Sequence, residues 1–330
     1  MIVAAGYAMR RADPAEDFFV DIGRLEVDIT PMHIPTGMIE GAVCPVTAVV
    51  AATGIGAAAW AASKSQIKPD ALKFAGVSAL IFAGQMINFP ILAGTSGHLL
   101  GGVLAAALLG LPFGVLAIAL VLSVQCLLFA DGGVSVLGAN MVNMALIGTG
   151  IGGLIAGRLT DCSAASLARL GFAAWVSVPL AALACSVELA LSGTVAFSVS
   201  APAMLATHAV IGVGEALLTV LAFSLLQAPA AVSRRSALAP ALAAVLIALV
   251  LSPFASSSPD GLEWVAEKLG FLRESAPLFA APFAGYSLPG MLSEGLSTGL
   301  AGLVGVLAVL AFGGAMAFVW KSPRAVKALR

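Results

Sequence analysis

The sequence reads as all-α, a polytopic membrane helix bundle, and three observations lead to that fold class. Hydrophobic residues make up 60% of the 330 and charged ones only 10%, with a mean hydropathy of +1.04, outside the range of soluble domains. Nine apolar stretches recur along the chain, most of them near the roughly 20 residues that a helix needs to cross the hydrocarbon core. Lys and Arg collect in alternate connections between those stretches, as they do in multi-pass membrane proteins. The formal net charge of -1 adds nothing further, and no nucleic-acid partner is expected.

In chain order, residues 1–31 carry six acidic and three basic side chains without a continuous apolar core. They fit neither a secretory signal nor a span, and are expected to be a dispensable leader or a mis-called start. The apolar stretches then run at about 42–63, 71–92, 96–110, 112–130, 134–157, 165–192, 201–228, 237–256 and 295–320. Gly and Pro interrupt several, which membrane helices tolerate where neighbours satisfy the freed backbone. The third is short, as for a helix that starts below the membrane surface. "APAAVSRRSA" after the seventh reads as a linker. It divides a seven-helix domain at 32–233 from a two-helix domain at 237–330 whose helices are joined by a long loop.

Lys64, Lys68 and Lys73 flank the first connection, Arg158 and Arg169 lie after the fifth stretch, Arg234 and Arg235 after the seventh, and Lys321, Arg324, Lys327 and Arg330 after the ninth. The other connections hold only Lys268 and Arg273, outnumbered by Asp260, Glu263, Glu267, Glu274 and Glu294. Eleven basic residues on one side against two on the other fit an odd number of crossings, with the C-terminus cytoplasmic and residue 32 outside. The expected location is the bacterial cell (inner) membrane.

Ala48, Ala52 and Gly56 on the first helix, and Gly148, Gly152 and Ala156 on the fifth, repeat at four-residue spacing. Such small residues let helix backbones approach, either within the bundle or against a second membrane subunit. Cys44, Cys126, Cys162 and Cys185 have no CxxC spacing and read as small buried hydrophobes.

The three histidines, His33, His98 and His208, all map to the outer side under this orientation. Imidazole is a usual ligand for borderline transition metals, so a metal site stands beside the plainer reading of helix-packing hydrogen bonds. "PMHIP" at 31–35 adds geometry. If Met32 were the first residue, its α-amine, the His33 backbone nitrogen and His33 Nδ1 would close fused five- and six-membered chelate rings on one metal. His98 would supply a fourth nitrogen, completing the square-planar set that Ni²⁺ and Cu²⁺ favour. An α-amine, whose ordinary pKa is about 8, yields its proton to a metal near neutral pH. Tied to Pro31, the same nitrogen would be an amide and a poor ligand.

Around His98, "GQMINFPILAGTSGHLLGG" (84–102) places Asn88 near the outer end of the second helix, Pro90 to bend it, and glycines to turn the chain. Its Ser, Thr and Asn side chains either orient His98 or merely build a short turn. Glu188 and Glu215 are carboxylates inside helices. Glu215 shares a helix face with His208, about 10 Å away along the axis, so a cation path and a helix–helix hydrogen bond are both open. A different reading takes "GTSG" (94–97) as the motif of a rhomboid-like intramembrane serine protease, with Ser96 as nucleophile and His208 as base. It leaves His33 and His98 unused. A membrane metal receptor without transport is a third.

"MHIP" (32–35), the 84–102 segment, "LGANMVNM" (137–144) and "HAVIGVGEALLT" (208–219) together resemble the CbiM/NikM family, the metal-binding S component of energy-coupling-factor uptake systems for cobalt or nickel. "SPDGLEW" (258–264) resembles the PDGLE element of the small CbiN/NikN-type partner, here fused to the C-terminus. The resemblance implies a seven-helix metal-binding domain with a processed start at Met32. It implies Co²⁺ or Ni²⁺ as transported substrate, held by Met32, His33 and His98; Asn88, Ser96, Asn140, His208 and Glu215 are read beside it as candidate surrounding or pathway residues. It also implies a transmembrane coupling protein of CbiQ/NikQ type and two cytoplasmic ATPases of CbiO/NikO type. The chain has no GxxxxGK[ST] loop, which fits ATP hydrolysis in a separate subunit. Neither enzyme activity nor an organic cofactor is expected. Thr36 stands where the family usually has Asp, and the 31-residue lead, if retained, would remove the amine ligand.

Overall fold

A computed structural model describes residues 33–91, 94–159, 161–227, 234–273, 275–276 and 278–319. The leader, Met32, the linker residues 228–233, Glu274 and the basic C-terminal stretch 321–330 lie outside the described residues.

The chain is helical almost throughout. Helix α1 (Val43–Lys64) leads to α2 (Ala71–Gln85), which Asp70 caps by accepting from the Lys73 N–H. A short antiparallel hairpin follows, β1 (Phe89–Pro90) against β2 (Ser96–Gly97). Then come α3 (Gly102–Leu109), α4 (Leu111–Phe129) and α5 (Val134–Ala156). Helices α6 (Ala164–Leu191) and α7 (Phe197–Leu226) form the most extensive helix pair. The C-terminal part holds α8 (Arg234–Leu246), prolonged by irregular turns to Phe254, the short α9 (Gly261–Leu269) and α10 (Glu294–Val319).

The fold class is the expected one, but the nine stretches are unequal. Among the described residues six helices are long and apolar enough to cross a membrane: α1, α4, α5, α6, α7 and α10. The stretch at 71–92 is helical only to Gln85. Pro90 has no N–H for a helix, and Gly94 and Gly101 adopt left-handed φ of 79° and 73°. The third stretch is an eight-residue helix, about 12 Å long, and the eighth becomes irregular after Leu246. Neighbouring helices cover the short ones: Phe74 to Ala83 of α2 are buried throughout, between α4, α8 and α10. Faces turned outward carry Val46, Trp60, Leu154, Leu217 and Phe312, side chains suited to hydrocarbon.

Helix α5 is α-helical only at its ends. Over Met141–Ile151 its backbone widens to i→i+5 bonding, and the Thr149 hydroxyl donates to the Met144 carbonyl at 2.9 Å. The small-residue repeats divide: Gly152 packs against Val103 and Ser177, and Ala156 is buried, whereas on α1 Ala48 meets Gly138 but Gly56 faces open space. All four cysteines are unpaired. Cys126 and Cys185 are buried as expected, but Cys162 is exposed, because it falls in the α5–α6 connection rather than in a helix.

The C-terminal part docks through glycines of α10. A Cβ on Gly302 would lie 2.6 Å from Met86, and one on Gly305 would overlap the Phe82 ring and press on Phe129. Phe82 and Phe129 are fully buried there.

Candidate metal site

The segment before α1, the hairpin and the loop after it, the first half of α5, parts of α6 and α7, and the start of α9 converge on one site. They enclose a cavity of about 80 Å³ lined by His33, His98, Asn140, Asn143, His208 and Asp260 among others. His33 and His98 are only 4% and 8% exposed, and their ring centroids lie 5.6 Å apart with planes inclined at 58°. With metal–nitrogen bonds of about 2 Å, two imidazoles at this spacing reach a common ion.

His33 is held from three sides. Its Nδ1 hydrogen-bonds Asp131 Oδ1 at 2.9 Å, and the other Asp131 oxygen accepts from the Tyr286 hydroxyl at 2.6 Å. Asn140 grips the next residue as a strand would: its Oδ1 accepts from the Ile34 N–H at 3.1 Å and its amide donates to the Ile34 carbonyl at 3.3 Å. Gly133 adds an N–H to the same carbonyl. A Cβ on Gly133 would overlap Thr36, which explains the glycine. Burial lowers the His33 pKa, but the charge and hydrogen bond of Asp131 outweigh it and the net shift is upward. Asp131 responds in the opposite sense: burial raises it, while His33 and the Tyr286 hydroxyl bring it below the ordinary carboxylate value. Asp260, buried at the cap of α9, is pushed up to about 7 by desolvation. His33 Nε2 is buried with no hydrogen-bond partner among the described residues.

His98 sits on a loop tied down on both flanks. Its Nδ1 lies 3.1 Å from the Leu99 carbonyl. The Leu100 and Gly101 N–H groups donate to the two oxygens of Glu215, at 2.6 and 2.9 Å, and Gln85 donates to the Leu100 carbonyl. Upstream, the Ser96 hydroxyl donates to the Ser258 carbonyl and the Ser96 N–H to the Pro259 carbonyl. The PDGLE segment is therefore strapped across the hairpin next to His98.

Met32 lies outside the described residues. His33 and His98 are brought together, His208 and Asn140 reach the same cavity, and Ser96 and Glu215 act on the His98 loop without lining it. Asn88 does not join: its backbone carbonyl accepts from Ser256, and its side chain stays outside the cavity lining. Glu215 bonds the backbone of the loop after His98 rather than a second helix. Ser96 and His208 are not hydrogen-bonded as nucleophile and base: the Ser96 hydroxyl donates to the Ser258 carbonyl, and His208 Nδ1 donates to the Met204 carbonyl at 2.8 Å within its own helix. Sequence reasoning missed Asp131, Tyr286, Asp260 and Asn143, the last donating to Glu188 at 2.7 Å. Asp131 had a legible signal, a lone acid in "FADGG" directly after an apolar stretch. Tyr286 had none, because only the fold brings it near. Among the described residues, no three His, Cys, Asp or Glu side chains converge as a metal-binding group.

The chain matches the family described as Cobalt uptake substrate-specific transmembrane region, CbiM, over residues 33–231, and the PDGLE domain over 234–322. It is 32% identical over 270 residues to the fused nickel transport protein NikMN of Rhodobacter capsulatus, covering 72% of this chain and 76% of that one. It is 37% identical to the cobalt transport protein CbiM of Thermosediminibacter oceani over 172 residues, covering 49% of this chain and 68% of the relative. The crystal structure of a transition metal transporter superimposes with a TM-score of 0.54 at 32% identity, covering 62% of this chain and 96% of that one. That of a truncated transition metal transporter gives 0.52 at 34%, covering 59% and 99%. The family match, the named transport relatives and the membrane-length helices together define a multi-pass membrane component of a cobalt or nickel transport system, not an enzyme. The chain belongs to the CbiM family and carries a fused, CbiN-like PDGLE domain.

Proposed function

We propose that this chain is the substrate-binding component of an energy-coupling-factor importer that captures Co²⁺ or Ni²⁺ on the extracytoplasmic face. The metal is held by the α-amine of Met32, the backbone and ring nitrogens of His33, and the ring of His98. The observation that carries this reading is the pair of buried imidazoles 5.6 Å apart, with His33 Nε2 left without a partner among the described residues. As the ring stands, Nδ1 is given to Asp131, so the six-membered chelate through Nδ1 requires the His33 ring to turn. In the orientation seen, with Nε2 left for a metal, the carboxylate takes the Nδ1 N–H, an arrangement that fixes a ligating imidazole and raises its basicity. The outward placement rests on the distribution of Lys and Arg, and the division into a metal-binding domain at 32–233 and a partner-like domain at 237–330 follows the linker. Transport is driven by a CbiQ/NikQ-type membrane coupling protein and two CbiO/NikO-type ATPases.

Isothermal titration of Ni²⁺ and Co²⁺ into the detergent-solubilised protein tests the site. His33→Ala and His98→Ala should each abolish tight binding, and undiminished binding in both would overturn the assignment. Intact mass of the membrane-purified protein tests the amine ligand. A tightly binding species that still contains residues 1–31 would exclude Met32.

A further inference from the structure

We infer that Tyr286, in the C-terminal domain, is a positioning residue for the metal site: through Asp131 it fixes the ring of His33. The inference rests on the metal-site reading above and adds to it a residue from the other domain.

Three observations carry it. The Tyr286 hydroxyl donates to Asp131 Oδ2 at 2.6 Å while Asp131 Oδ1 lies 2.9 Å from His33 Nδ1, so one carboxylate joins the tyrosine to the imidazole. The Tyr286 ring is stacked on Phe129, at 4.6 Å between centroids and 17° between planes. Phe129 ends α4, two residues before Asp131, so the stack and the hydrogen bond hold the same turn of chain. Tyr286 itself has φ of +54°, one of two non-glycine residues with positive φ among those described. A bulky side chain in that region is strained, and the conformation persists where the surroundings demand it. Here the surroundings are the Phe129 face and the Asp131 carboxylate.

The carboxylate is a natural relay. The bond to His33 takes one oxygen of Asp131, and a phenol that is itself stacked in place engages the other, so the tyrosine adds a second directional hold on the carboxylate. Outer partners of this kind tune a metal ligand without touching the metal. The bond also crosses the domain boundary, joining positions 155 residues apart, so the PDGLE part supplies a piece of the metal site rather than only covering it.

The test uses the full chain purified from membranes, with Ni²⁺ as probe, in four forms: unmodified, Tyr286→Phe, Asp131→Asn and the double variant. Tyr286→Phe keeps the stacked ring and removes only the hydroxyl. It should lower Ni²⁺ affinity by about 3- to 10-fold, somewhat less than the 10- to 100-fold typical of a direct partner of a ligand, and shift the visible Ni²⁺ absorption bands. In the Asp131→Asn background the same change should have no further effect on affinity. A lowered melting temperature with unchanged affinity and spectrum would make Tyr286 merely structural and overturn the inference. So would full additivity in the double variant. If the unmodified protein binds no Ni²⁺, the metal-site reading falls and this inference with it. If His33→Ala abolishes binding while Tyr286→Phe matches the unmodified chain, only this inference falls.

Discussion

Ser96 and Ser258 stand 162 positions apart and are joined by a 2.7 Å hydrogen bond from the Ser96 hydroxyl to the Ser258 carbonyl. A serine two residues before His98 thus serves as a clasp between the His98 loop and the PDGLE segment. Ser96→Ala removes one buried hydrogen bond, worth about 1 kcal/mol net, and leaves the N–H bond to Pro259 in place. The melting temperature should fall by a few degrees and Ni²⁺ affinity by about 2- to 5-fold, a smaller effect than removing a ligand. Differential scanning calorimetry with and without Ni²⁺ checks both.

Glu215 accepts two backbone N–H groups from the turn that follows His98, and it is fully buried. Glutamine offers one oxygen and one NH₂ group, so Glu215→Gln leaves either Leu100 or Gly101 facing a donor. An unsatisfied buried donor costs about 1–3 kcal/mol. The loop should loosen and Ni²⁺ affinity fall by about tenfold, measured by titration calorimetry on the folded variant.

Asn140 holds Ile34 by both its N–H and its carbonyl, and so sets where His33 points. Asn140→Ala should weaken Ni²⁺ binding by about 10- to 100-fold, the range for a group that orients a ligand. Asn140→Asp keeps the acceptor for Ile34 but loses the donor, and its affinity should lie between the two. The same order in the dissociation rates, followed by competition with a chelator, checks the assignment.

Gly305 is where α10 crosses Phe82 and Phe129. Gly305→Val forces those rings aside, and overpacking of this kind costs about 1–3 kcal/mol. The full chain should melt earlier, and Tyr286, carried on the connection into α10, should lose its register with Asp131. A thermal melt followed by circular dichroism, paired with Ni²⁺ titration, reads both effects.

Fold class was legible because the requirement for long apolar helices is written in composition. The real lengths were not, because helix ends depend on local turns: Pro90 and the left-handed Gly94 and Gly101 convert the end of one stretch and the start of the next into a hairpin and loop. The meeting of His33 with His98 was legible from the alternation of Lys and Arg, which assigns both to the same end of their helices. Their supports were less so. Glu215 stood out as a carboxylate in an apolar helix, yet its partners are backbone N–H groups, which nearly every residue has. Asp131 and Tyr286 are joined across 155 residues, and no spacing or periodicity signals such a pair.

The contacts from Thr95 to Pro259 and from Asp131 to Tyr286 span 164 and 155 positions, and this has a consequence for biogenesis. A ribosome completes the first seven helices well before it makes Pro259 or Tyr286. Until then the Thr95 and Ser96 hydroxyls lack the Pro259 and Ser258 carbonyls that they will later use. Non-local pairings of this length form late. The end of the bundle that holds these contacts is therefore completed only after residue 286 has been made, well after the helices that frame it.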